Sequence, residues 1–107
     1  MDSPVLVYTT WPKMETAAGA GQALVERKLA ACVNIMPEMV SIFPWRGRVE
    51  EVREVVMIIK TRQDRLEETM SAVAEMHPYD TPAVLALPLM AVHPGYAKWI
   101  VEETTEA

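Results

Sequence analysis

The chain has 107 residues, a formal net charge of −5 and one cysteine; half of its residues are hydrophobic, yet only 7% are aromatic. This length supports a single domain over residues 1–107, with a core that needs no disulfide staples. An acidic balance without a Lys/Arg cluster argues against a nucleic-acid partner, and no apolar run approaches the roughly 20 residues of a membrane span. The lone Cys32 offers no internal disulfide, and the opening MDSPVLVYTT has no basic n-region, so a soluble, cytoplasmic chain is expected. The apolar fraction exceeds what so small a monomer can bury, and the surplus is expected to face a partner.

In chain order, the β-branched and aromatic run Val5 to Thr10, ended by Trp11-Pro12, predicts a first strand, β1. Met14 to Ala31 carries Ala17, Ala18, Gly21, Leu24, Val25 and Leu29 on a 3.6-residue stripe and predicts a helix, α1. Gly19 and Gly21 weaken that helix, so close backbone packing is one reason for them and a frayed first turn another.

Val33 to Trp45 alternates, with Val33, Ile35, Pro37, Met39, Ser41, Phe43 and Trp45 on one face, and Val49 to Thr61 alternates likewise. Joined by Arg46-Gly47-Arg48, they predict a β2–β3 hairpin with Gly47 at the left-handed turn position. Such arms reach roughly 40 Å, about twice an ordinary strand, and overhang a small core. Pro37 and Pro44 mark a break or an edge.

Thr61 to Asp64 resembles a capping box that opens a second helix, α2, with Leu66, Met70, Val73 and His77 on one face before Pro78 stops it. Ala83 to Val92 predicts β4, and Pro94 opens a last helix, α3, through Thr104. The order β-α-β-β-α-β-α predicts an α+β, ferredoxin-like split βαβ sandwich with a C-terminal helix. Two helices are expected on one sheet face, with the other left open.

Glu54 and Lys60 fall on one face of β3 and are able to frame a polar pocket, or simply to pair with neighbours at the core edge. His77-Pro78-Tyr79-Asp80-Thr81-Pro82 holds an imidazole, a phenol and a carboxylate together on a rigid turn. His77 is either a metal or acid–base group, or a helix-end histidine facing the macrodipole. The eight scattered methionines read as core filler, and Cys32 as a small buried thiol. No nucleophile elbow, phosphate loop, Cys-x-x-Cys or H-E-x-x-H occurs, which disfavours an enzyme.

Across Lys28-Leu29-Ala30-Ala31-Cys32-Val33-Asn34, Trp45-Arg46-Gly47, Glu54…Ile59-Lys60-Thr61, His77 to Pro82 and Tyr96…Trp99, the chain resembles the CutA-type divalent-cation tolerance proteins. The resemblance implies a ferredoxin-like fold assembled as a homotrimer through long hairpins. It implies a cytoplasmic role in tolerance of copper and other divalent metals, not catalysis. It places the metal on His77, with Glu54 or Glu102 as helpers. Tyr8-Thr9-Thr10 stands where some members have a first-strand cysteine, and Ala83 where a glutamate is common.

Two functions follow. In one, inter-subunit clefts lined by Trp45, Glu54, Lys60, His77, Tyr79 and Trp99 hold a divalent ion. In the other, a trimeric scaffold similar to PII-type regulators binds a small anionic metabolite near Lys60.

Overall fold

A computed structural model describes residues 3–106. Its elements are β1 (Pro4–Trp11), α1 (Met14–Glu26), β2 (Cys32–Trp45), β3 (Arg48–Arg62), a 3-10 turn (Gln63–Arg65), α2 (Leu66–Met76), β4 (Val84–Pro88) and α3 (Pro94–Glu103). The four strands form one antiparallel sheet in the order β2-β3-β1-β4, the ferredoxin-like arrangement.

Alternation decides the two faces. Val7 pairs with Ile59 and Thr9 with Met57, so odd-numbered residues of both strands share the side that α1 and α2 cover. There Val7, Trp11, Ala17, Leu24, Met57, Ile59 and Val73 are fully buried. Gly21 is what lets α1 sit so close: a Cβ on it would lie 2.7 Å from Val33 Cγ2 and 3.2 Å from Met57 Sδ. Gly19 has nothing within 4 Å and carries no such role.

Helix α1 ends at Glu26, short of the predicted Ala31, for a local reason. Lys28 adopts φ 60°, its N–H donates to the Val25 carbonyl, and the Leu29 N–H donates to the Leu24 carbonyl. That is a Schellman stop with lysine at the left-handed position usually given to glycine. It releases Leu29, Ala30 and Ala31 into the core, and the Ala31 N–H then joins the Lys60 carbonyl at 2.8 Å.

The hairpin is real and long, with arms of 14 and 15 residues and left-handed Arg46 (φ 51°) and Gly47 (φ 80°) in its two-residue turn. Its extension gives the molecule dimensions of 47 × 27 × 22 Å. The predicted single face of β2 does not hold. Met36 pairs with Val56 but Met39 with Glu54, so one extra residue bulges out around Pro37-Glu38, where Glu38 has φ 54°. Val33 and Ile35 therefore face the helices, whereas Met39, Ser41, Phe43 and Trp45 face the opposite side.

Three further expectations change. Thr61 does not cap α2: it is a fully buried strand residue, and β3 runs through Arg62 into the 3-10 turn. Strand β4 stops at Pro88, which lacks the N–H to extend the ladder. The second sheet face is only partly open, because α3 crosses it. Lys60, on the opposite side of β3 from Ile59, donates to the Tyr96 hydroxyl at 3.1 Å, and Ile100 is buried at 1% exposure. Arg62 and Arg65 both donate to the Thr104 carbonyl (3.1 and 3.0 Å) and hold the end of α3 down. The imidazole of His93 caps its start, Nδ1 accepting the Gly95 N–H at 3.1 Å.

The two α1 glycines should respond to alanine with opposite signs. Gly21→Ala is expected to lower unfolding free energy by about 1–3 kcal/mol through overpacking, and Gly19→Ala to raise it by about 0.5–1 kcal/mol. Urea melts at one protein concentration check this, and equal shifts for both would contradict the close approach at Gly21.

Candidate functional site

The bulge in β2 has a functional consequence. By bringing Phe43 and Trp45 onto the even-numbered side of β3, it builds one wall of an open cleft of about 970 Å³. Phe43 and Trp45 come from β2, and Glu50, Val52 and Glu54 from β3. The segment after α2 supplies the facing wall with Tyr79, Asp80 and Thr81, and Thr10 of β1 also lines the space.

Glu54 is the unusual member. It is only 8% exposed, lines the cleft, and forms no hydrogen bond or ion pair among the described residues. Its side chain is packed in the sheet, and its carboxylate is left to meet the open cleft instead of a protein partner. Its field reaches Tyr79, whose phenol is pushed above its ordinary value, first by partial burial and then by the Glu54 charge.

His77 anchors the loop that carries Tyr79. It is 7% exposed, with Nε2 2.7 Å from the Thr10 carbonyl and Nδ1 accepting the Tyr79 backbone N–H at 3.1 Å. An acceptor at Nδ1 leaves the proton on Nε2, which donates to Thr10, so both ring nitrogens are committed. The ring lies between Trp11 and Tyr79, at centroid separations of 4.3 and 4.9 Å. Beneath it the Trp11 indole donates to Thr9 Oγ1 at 2.7 Å, and that hydroxyl donates to the Met57 carbonyl at 2.9 Å. His77 thus ties the cleft loop to β1 through fully satisfied bonds.

The residues expected from sequence separate into two groups. Trp45, Glu54 and Tyr79 line the cleft, with His77 buried behind Tyr79. Lys60 lies six residues along β3 from Glu54, about 20 Å away. There its ammonium sits 5.3 Å from the Tyr96 ring centre, and Tyr96 stacks on Trp99 at 5.5 Å. Asp80, the carboxylate of the His77 to Pro82 motif, joins the cleft group, as do Glu50 and Phe43, for which the sequence carries no motif. Glu50 shares its parity with Glu54, a signal that was there to read, but the loop's approach to the hairpin was not. Among the described residues no three His, Cys, Asp or Glu side chains converge on one ion-sized point.

Residues 5–103 match the family described as CutA1 divalent ion tolerance protein. The chain belongs to that family. It is 42% identical over 93 residues to the protein CutA homolog of Xenopus laevis, a match spanning 87% of this chain but 62% of that protein. It is 40% identical over 100 residues to the divalent-cation tolerance protein CutA of Pyrococcus horikoshii, spanning 94% and 97%. The crystal structure of CutA1 from Ehrlichia chaffeensis superposes with a TM-score of 0.95 at 30% identity, covering 99% of each chain. The CutA1 affiliation and the observed topology agree, and among the described residues no helix is long and apolar enough to cross a membrane.

The phenol provides a test of the cleft's electrostatics. A raised pKa means that the folded chain holds the Tyr79 proton more tightly than the unfolded chain. The associated stability is complete below the unfolded value, near 10, and is lost as pH rises through the folded one. In ultraviolet titration, the wild-type minus Tyr79→Phe difference should show an alkaline midpoint above that of the unfolded protein. Glu54→Gln should move it downward; an unmoved midpoint would remove Glu54 from the phenol's surroundings.

Proposed function

We propose that this CutA1 family member confers divalent-cation tolerance by binding such ions reversibly at the cleft beside Glu54, in the cytoplasm, as a homotrimer and without catalysing a reaction. The observation that carries this reading is the buried, unpartnered Glu54 carboxylate facing open space. Asp80 and Glu50 on the same cleft strengthen the attraction for cations, as does the chain's net charge of −5. The anionic-metabolite alternative finds less support at the cleft, whose lining carries carboxylates and no Lys or Arg.

Copper at His77 enters this reading in a specific form. An ion takes the Nδ1 lone pair only as the Tyr79 N–H lets it go, so coordination replaces a hydrogen bond already made. Such an exchange gives weak binding coupled to rearrangement of the Tyr79 loop. Glu54 is the neighbouring carboxylate that supports the charge.

The trimer is supported by where apolar surface lies. Val40, Ile42, Trp45 and Val49 are 47%, 66%, 57% and 77% exposed on the overhanging hairpin, and Leu85 and Leu87 are exposed on the edge strand β4. Unpaired strand edges and apolar overhangs of this kind are stabilised by a second copy of the chain. The cleft's place along the overhanging arm supports an inter-subunit position for it.

Light scattering should give about three times the 12.0 kDa chain mass; a value near 12.0 kDa would overturn the trimer. Calorimetric titration with Cu²⁺ should show binding that Glu54→Gln weakens about tenfold or more. His77→Ala, where melts show it folded, should also weaken it. Copper binding identical in wild type and Glu54→Gln would sink the cleft as the site.

A further inference from the structure

Building on the reading of the cleft as a cation site, we propose that it also accepts a linear organic polyamine. The argument begins with how its charges are placed. Glu50 and Glu54 lie on one face of β3, about 13 Å apart along the strand, and Asp80 stands on the opposite wall. Among the described residues no three potential ligands converge on one point. A compact divalent ion rewards convergence, because its coordination shell is only ~2–2.6 Å in radius. A chain of ammonium groups separated by methylenes instead matches carboxylates that are spread out.

The remaining lining fits the same ligand. Phe43, Trp45 and Tyr79 bring three aromatic rings to a cleft that also holds the acids; Arg46 already lies 5.4 Å from the Trp45 ring centre, and His77 packs against Tyr79 at 4.9 Å, so those two rings each have one face left to offer. Ring faces attract alkylammonium groups, by about 0.5–2 kcal/mol depending on desolvation, and shelter the methylenes between them. The volume of about 970 Å³ is ample for an extended amine, and far larger than a hydrated ion needs. Glu54 provides the anchor: at 8% exposure and without a protein partner, its carboxylate gains a charge-assisted hydrogen bond from an ammonium N–H.

Calorimetry on the whole protein, with spermidine as the triamine probe, tests this. Putrescine, Mg²⁺ at matched ionic strength and a neutral alkanediol serve as comparators, and Cu²⁺ is titrated in parallel. Spermidine is expected to bind more tightly than putrescine and at least about tenfold more tightly than Mg²⁺, with the diol silent. Glu54→Gln should weaken spermidine about tenfold or more, and Trp45→Leu, with light scattering confirming the wild-type assembly, several-fold. Spermidine no tighter than Mg²⁺, or unaffected by Glu54→Gln, overturns the polyamine site. If Cu²⁺ alone depends on Glu54, this inference falls and the metal reading stands. If spermidine alone depends on it, the metal reading falls, and if neither does, both fall.

Discussion

Strand β3 runs for 15 residues with its alternation unbroken, and both the core and the cleft depend on that rule. Val55, Met57, Ile59 and Thr61 point toward α1 and α2, while Glu50, Val52, Glu54 and Lys60 point to the opposite side. The strand pairs with β1 along one edge and β2 along the other, so a slip of one residue would exchange the two sets wholesale. Met57 and Ile59, both fully buried, would become exposed, and Glu54 and Lys60 would enter the core. The cost of that exchange holds Glu54 where it is, although the carboxylate itself finds no partner there. Core packing positions the site, and the site need not stabilise itself.

Against this fixed strand, β2 changes sides. The extra residue at Pro37-Glu38 lets one strand serve two purposes: Val33 and Ile35 complete the core before the bulge, and Phe43 and Trp45 build the cleft after it. Without the bulge, Trp45 would fall on the side of Val40 and Ile42, away from Glu54. The exposed pair Arg53–Glu38, 3.4 Å apart, spans the distortion but adds little to stability, since both side chains are about 70% exposed. The bulge is held by the register on either side of it.

Much of this was legible in the chain. The hairpin, its Gly47 turn, the shared face of Glu54 and Lys60, and the element order follow from period-two patterning and turn chemistry that tertiary contacts do not override. The side change in β2 was not legible. Pro37 and Pro44 announce irregularity, but how many residues loop out depends on pairing with β3. The end of α1 was hidden because Lys28 is a good helix former that the Schellman turn forces to a positive φ. Helix α3 offers Tyr96, Trp99 and Ile100 to either side of a sheet, and the choice rests on Arg62 and Arg65 gripping its last carbonyl from sites far away in sequence. The cleft was half visible for the same reason. One wall is strand parity, whereas the other is a loop placed by His77 bonding across 67 positions to Thr10.

That last bond changes how the most conspicuous motif is understood. An imidazole beside a phenol and a carboxylate invites a reading as a reactive group, yet His77 spends both nitrogens on backbone partners. The tyrosine and aspartate that follow are the residues it delivers to the cleft. A histidine suits this task better than an aliphatic residue. It joins Thr10 to Tyr79 by one donor and one acceptor while its ring fills the space between two aromatic faces. The affinity of anything entering the cleft is then set largely at Glu54, whose side chain is packed in the sheet while its carboxylate is held at the open space by a register that no ligand has to organise.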